Sequence, residues 1–298
     1  MLSILRSVLI FPVHLCLQII NLSFWAVLII FFGLIKLILP FALVSRPINQ
    51  LLNYMLCAFG VLSVRLIRLF NRIELDVEIE GALSKTEWYL MMPNHLSWLD
   101  IILLVDFAAD KIPAPKFFLK KELIWLPFVG LGAWALDMPF MQRYSREFVE
   151  KNPHLKGKDI QTTKQSCEKF RECPTTVINF VEGSRFTTQK HQNRNSPFTH
   201  LLPPKAGGIA FTLAAMGELF TGILDVTLMY PNNPNRPMLA MLAGRLNKVI
   251  LRASVTPIEQ EIIGDYFSDN DFRDNFQSWL NARWAYKDNQ IKQLYGDK

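Results

Sequence analysis

His95 and Asp100, within Pro93-Asn94-His95-Leu96-Ser97-Trp98-Leu99-Asp100, are the side chains of this sequence whose types and spacing best suit proton transfer. Residues 88–92 read as a strand and 99–108 as a helix, which puts the histidine in the connecting loop and the aspartate in the first helical turn. From there a carboxylate reaches back to one imidazole nitrogen, fixes the tautomer and supports the positive charge that develops when the other nitrogen takes a proton. The chemistry implied is general-base activation of an alcohol. Such a pair also arises at an ordinary surface histidine, and Asn94 and the strand-to-helix setting add weight to the catalytic reading.

A second cluster, Phe180-Val181-Glu182-Gly183-Ser184-Arg185, follows a strand expected over 175–180. Gly183 allows close approach of backbone to a ligand, and Arg185 offers a planar fork suited to a pair of phosphate oxygens; a charged turn at a strand end is the plain alternative. A third, Phe140-Met141-Gln142-Arg143, ends a strand expected over 138–141 with another arginine. Polar and basic groups at three strand ends are expected to meet at one edge of a sheet, where open α/β folds bind ligands. Gly183-Ser184-Arg185 lacks the second glycine of a nucleophile elbow, which argues against a serine hydrolase. The five histidines show no zinc spacing, so no metal is expected.

The elements that must position these groups alternate. Ile73, Leu75, Val77 and Ile79 interleave with Glu74, Asp76, Glu78 and Glu80, the period of a half-buried strand. Further strands are expected over 116–119, 224–229 and 249–255, and helices over 122–135, 145–171, 206–220 and 271–284. This order predicts an α/β fold with a mixed, largely parallel sheet flanked by helices. Residues 232–237 are the most turn-like stretch.

The first 72 residues differ from the rest. They carry six basic residues (Arg6, Lys36, Arg46, Arg65, Arg68 and Arg72) and no acidic one, while the remainder balances 26 Lys and Arg against 26 Asp and Glu. The net charge of +6 thus belongs to an apolar segment, which fits anionic lipid headgroups better than nucleic acid. Residues 24–44, interrupted only by Lys36, are long enough to cross a bilayer. Pro12, Gln18 and Asn21 make the preceding stretch a candidate hairpin or re-entrant start. Arg65, Arg68 and Arg72 recur on one helical face, which predicts an interfacial helix with its arginines toward phosphates and the following domain in the cytosol. We therefore divide the chain into a membrane anchor with interfacial helices, 1–72, and a cytosolic domain, 73–298. Cys16, Cys57, Cys167 and Cys173 show no paired spacing and read as free thiols.

The three clusters occur in the order of the glycerolipid acyltransferase motifs. Asn94-His95 with Asp100 resembles the family's catalytic block, Phe140 with Arg143 its second block, and Glu182-Gly183-Ser184-Arg185 its third. Lys116-Phe117-Phe118-Leu119-Lys120-Lys121-Glu122 and Leu202-Pro203-Pro204-Lys205-Ala206-Gly207-Gly208 resemble the branch containing lysophosphatidic acid and lysocardiolipin acyltransferases. The chain as a whole is similar to bacterial YihG-type inner-membrane acyltransferases. Ser184 stands where the family has threonine or serine, and Ile223-Leu224-Asp225-Val226-Thr227-Leu228 lacks the proline of the usual fourth block, which leaves the acceptor open.

The resemblance implies one-step acyl transfer from acyl-CoA or acyl carrier protein to a lysophospholipid hydroxyl, with 1-acylglycerol-3-phosphate as first-choice acceptor and phosphatidic acid as product. His95 would be the base and Asp100 its orienter. Asn94, Phe140, Gly183 and Ser184 would belong to the substrate site, Arg143, Arg185 and Lys205 would hold the acceptor phosphate, and Glu182 would help shape that site. The thioester supplies the energy, so no cofactor is expected; membrane phospholipid and the thioester donor are the expected partners. The implied location is the bacterial inner membrane, with the catalytic domain on the cytoplasmic side. Two alternatives stand beside this reading: reacylation of lysophosphatidylglycerol or lysocardiolipin, and a non-catalytic scaffold that binds anionic lipid.

Overall fold

Two long helices precede every strand. In the computed structural model, which describes residues 2–126, 128–141, 161, 164 and 167–296, α1 (Leu2–Ile38) and α2 (Ala42–Phe70) form a hairpin. Both are long and apolar enough to cross a membrane by length and composition. The expected span over 24–44 is corrected by this break: Pro40 lies between the helices, and its ring disfavours helical backbone in the residue before it. The short apolar stretch and the arginines after it belong to one continuous helix, α2, on which Arg65 and Arg68 are exposed. Helix α1 runs through Pro12 without a re-entrant turn. Its polar residues face inward instead: Gln18 Nε2 donates to Ser63 O at 3.1 Å, and Asn21 Nδ2 to Ser63 Oγ at 2.8 Å. The outer side of α1 is apolar, with Phe24, Val27, Phe31 and Leu34 exposed.

The main sheet contains β1 (Glu74–Glu80), β2 (Tyr89–Pro93), β3 (Pro115–Phe117), β6 (Thr176–Ile178), β7 (Gly222–Met229) and β8 (Lys248–Pro257). Its spatial order is β1-β8-β7-β2-β6-β3. All neighbours are parallel except β7 and β8, which run antiparallel, so the sheet is mixed and mostly parallel as expected. The central strand β2 is buried along its whole length. Leu90 and Met92 pack toward α6 (Ala206–Met216) and α8 (Asn270–Tyr295), while Tyr89 and Met91 pack toward α3 (Leu99–Lys111), the end of α2 and α7 (Pro237–Leu242). Side chains alternating between two covered faces explain why this strand is apolar throughout, and each fully buried residue of this size contributes about 1.5–3 kcal/mol.

Several expected elements change. The strand over 116–119 is split into β3 and β4 (Leu119–Lys120), and the one over 138–141 shrinks to β5 (Phe140–Met141). β4 and β5 pair with each other as a separate two-stranded sheet. The helix over 122–135 becomes a 3-10 turn, Lys121–Trp125, and α4 (Val129–Ala135). Most of the helix expected over 145–171 lies outside the described residues. Helix α5 (Thr188–Asn193) was not anticipated, and the last helix begins near the expected start but runs eleven residues past the expected end at 284. The hairpin is fastened to the domain through close contact: a Cβ on Gly33 would stand 2.4 Å from the Cβ of Ala135.

Candidate active site

β2 and β6 are adjacent and parallel, so the loops that leave their carboxyl ends emerge side by side. The first carries His95 and the second Phe180 to Arg185. His95 Nδ1 lies 2.9 Å from Asp100 Oδ2, and the same oxygen accepts the backbone N–H of Leu96 at 2.7 Å and of Ser97 at 2.8 Å. Tyr230, at the end of β7, donates its hydroxyl to Asp100 Oδ1 at 2.7 Å. With Asp100 fully buried and accepting from four donors, Nδ1 carries the imidazole hydrogen, and Nε2 keeps a lone pair. Burial, with the Asp100 charge beside it, holds the Tyr230 hydroxyl well above its ordinary range, so it remains a donor. The imidazole stacks on Phe180 with ring centroids 4.0 Å apart, which fixes the plane of the ring.

The second loop is tied to the first from below. Glu182 Oε1 accepts the N–H of His95 at 2.9 Å and Oε2 that of Leu202 at 3.1 Å, while Phe186 donates its N–H to His95 O at 2.7 Å. Burial pushes the Glu182 carboxyl up to about 8, against the pull of the two N–H groups and of Lys287. Glu182 is wholly buried and holds the backbone of both loops, so any part it has in shaping the site runs through His95 N and Leu202 N. Asn94 is likewise buried and faces away from solvent: its amide donates to Leu228 O at 2.9 Å and accepts from Leu228 N at 2.7 Å, clamping β2 to β7. Both residues build the site from behind.

Gly183 has φ of +66°, which favours glycine, and a Cβ there would press on the exposed Lys205 side chain at 3.3 Å. Lys205 is exposed and runs along this turn, its N–H held by Val181 O at 2.7 Å. The Arg185 guanidinium lies 4.7 Å from the centroid of the Trp98 ring, which brings it over the loop of His95. Ser184 Oγ accepts from Arg194 Nη2 at 2.8 Å, and Arg194 Nη1 donates to Glu182 O at 3.2 Å. Arg185, over Trp98 of the first loop, and Lys205, along the Gly183 turn, are thus two exposed cations at the meeting of the two loops. Phe140 is half-buried on the separate β4–β5 sheet, and Arg143 lies outside the described residues.

Sequence reasoning missed Tyr230, Arg194, Trp98 and Phe180. Tyr230 stands 130 residues from its partner and has no local signature. Arg194 follows the short helix α5, whose one start signal is the cap, Thr187 accepting from Lys190 N, in a polar stretch with no apolar period to mark it.

Comparisons with known proteins bear on the family and the fold. The acyltransferase family model matches residues 74–230. The 1-acyl-sn-glycerol-3-phosphate acyltransferase delta of Homo sapiens is 26% identical over 190 residues, 60% of this chain and 45% of its own. The 1-acyl-sn-glycerol-3-phosphate acyltransferase 3 of Arabidopsis thaliana is 24% identical over 278 residues, 86% of this chain and 69% of its own. The chain spans about half the length of the mammalian relatives it matches. The crystal structure of the 1-acyl-sn-glycerophosphate acyltransferase PlsC from Thermotoga maritima shares the fold, with a TM-score of 0.52 at 20% identity over 93% of this chain and 95% of that one. Since the family match spans more than half of the sequence and contains both loops of the site, this chain belongs to the acyltransferase family.

Proposed function

We propose that this enzyme transfers a fatty acyl group from acyl-CoA or acyl carrier protein to the free hydroxyl of 1-acylglycerol-3-phosphate, yielding phosphatidic acid. The observation that carries the reading is the 2.9 Å contact between His95 Nδ1 and Asp100 Oδ2, beside Arg185 and Lys205. His95 Nε2 takes the hydroxyl proton as the oxygen attacks the thioester carbonyl. The tetrahedral centre collapses, the carbon–sulfur bond breaks, and the departing thiolate takes the proton back from the imidazolium. Asp100, held by Tyr230 and two backbone N–H groups, supports the imidazolium in between. Arg185 and Lys205, with Arg143, hold the acceptor phosphate; Gly183 leaves room for it. The thioester supplies the driving force, and the chemistry calls for neither cofactor nor metal.

The acceptor is a membrane lipid, and the relatives named for 1-acylglycerol-3-phosphate favour this acceptor over other lysophospholipids. The apolar outer side of α1 suits insertion in a bilayer, and the arginines of α2 favour the cytoplasmic face of a bacterial inner membrane. Purified protein in detergent, given one labelled acyl-CoA and a panel of lyso-acceptors, is expected to prefer 1-acylglycerol-3-phosphate; a preference for lysophosphatidylglycerol or lysocardiolipin overturns that assignment. His95→Ala is expected to lower turnover about 100- to 10,000-fold, and unchanged turnover removes His95 as the base.

A further inference from the structure

Helix α8 lies beyond the matched acyltransferase region, which ends at Tyr230, yet three of its residues reach the frame of the site. Trp284, Lys287 and Asp288 are spaced i, i+3 and i+4, so they share one face of the helix. All three are buried, although two are charged. Charged residues are rarely buried unless each charge meets partners, and here each does.

Lys287 Nζ donates to Met92 O at 2.9 Å and Val226 O at 2.6 Å, and it pairs with Asp225 Oδ1. Two backbone carbonyls and one carboxylate thus surround the buried ammonium. The position is telling. Pro93 has no N–H with which to extend the ladder, and Lys287 bonds the carbonyl just before Pro93 and the carbonyl of Val226, its register partner on β7. Two residues later stands His95. The lysine thus ties the last rung between β2 and β7 at the point from which the catalytic loop departs.

The next residue, Asp288, accepts the N–H of Thr199 at 2.9 Å and of His200 at 2.7 Å, and Trp284, about one turn earlier, donates Nε1–H to Leu202 O at 3.1 Å. The N–H of Leu202 in turn meets Glu182, whose other oxygen holds His95, and three residues on comes Lys205. From one face, α8 grips both the strand end that carries the base and the loop that carries a phosphate-side cation.

We infer that α8 is a positioning element of the reaction, in which Lys287 and Asp288 set the distance between His95 and the Lys205 side of the acceptor site. Neither residue touches the reacting atoms. The inference rests on His95 as the base, so the two must be tested separately.

The full chain in detergent is compared in four forms: wild type, His95→Ala, Lys287→Met and Asp288→Asn, with Phe276→Ala as a control that loosens the α8 core among the rings of Phe272 and Trp279. Displacement of a reacting group by about 1 Å costs on the order of 100-fold. Lys287→Met is expected to lower kcat about 10- to 100-fold with little change in KM for the thioester, and to speed hydrogen exchange at the His95 amide. Asp288→Asn is expected to do the same more weakly. Phe276→Ala, assayed equally far below its own unfolding midpoint, is expected to keep kcat. If Lys287→Met does not fold, Asp288→Asn against the control carries the test. An unchanged kcat in Asp288→Asn and in any folded Lys287→Met, or an equal fall in the control, overturns the inference. Activity retained by His95→Ala instead overturns the assignment of the base.

Discussion

The loop site and the helical hairpin both bury polar groups, but to opposite ends. At the ends of β2 and β6, buried Asp100 and Glu182 hold the ring and the backbone of His95, whose side chain keeps 11% exposure, and buried Asn94 clamps the strand that leads to it. Between α1 and α2, Gln18, Asn21 and Ser63 bond to one another and present nothing outward, leaving an apolar surface. A polar network beneath an open edge displays a reactive atom, while one sealed between helices hides its polarity from the surroundings and fixes their register. The same bonding rules thus serve chemistry in one region and membrane compatibility in the other.

The largest expected effect tests the display side. Asp100→Asn places an amide where four donors converge, so one N–H group must oppose another; kcat is expected to fall about 100- to 10,000-fold with the fold retained, as read by turnover against circular dichroism. A smaller effect should follow from Glu182→Gln, which sets an NH2 against the N–H of His95 or of Leu202, and we expect kcat to fall about tenfold, the loss of one neutral hydrogen bond. Glu182 also predicts a pH dependence. Its carboxyl holds a proton up to about 8 in the folded chain against an ordinary value of 4.5, so its contribution is full below 4.5 and is lost as pH rises toward 8. Thermal midpoints of the wild type should therefore decline across that window, and those of Glu182→Gln should decline less; parallel slopes would assign the decline to other groups.

What was legible in the sequence was local. The strand before His95, the helix after it and the reach of Asp100 all lie within about a dozen residues, where period and capping chemistry act. The glycine of the second loop was legible for the same reason, since a positive φ leaves its mark on a single residue. Partners across the fold left no such mark. Lys287 resembles any solvated helix lysine until β2 and β7, 195 and 61 residues away, are placed beneath it. That Glu182 sits wholly buried, with its oxygens on the N–H groups of His95 and Leu202, could not be read from its place between Val181 and Gly183, since both partners come from distant parts of the chain or another loop. Hydropathy also read through Pro40, because an apolar average does not register a missing hydrogen-bond donor.

The hidden side of the comparison is tested by Lys36, the one charge within the expected span. Its ammonium meets Asn49 Oδ1 at 2.9 Å, Ala135 O at 2.7 Å and Asp137 Oδ2 at 3.0 Å, which joins α1 to the end of α4. Lys36→Met should lower stability by about 1–3 kcal/mol, below the range for fully buried pairs because both side chains keep some exposure. Adding Asp137→Asn should recover part of the loss, since asparagine tolerates the φ of +58° at that position and removes the carboxylate charge that faced Lys36. Thermal midpoints in detergent of the single and double variants measure both effects; a double variant no more stable than the single would mean that the ion pair is not what joins the helices.

The smallest effect is expected at Arg46, although it is drawn to Glu172 by two of its nitrogens, at 3.2 and 3.0 Å. The two side chains are 67% and 63% exposed, so water screens the pair and each pays conformational entropy to hold the geometry. Arg46→Ala should change stability by less than about 0.5 kcal/mol, within the scatter of a midpoint measurement, while Lys36→Met on the partner helix shifts it clearly. The contrast separates bond count from burial: Arg46 and Lys36 both make short contacts to a carboxylate, and only the one removed from water should matter. A large loss at Arg46 would show that the exposed side of α2 is held by its charges, and would undo the division between a displayed network and a hidden one.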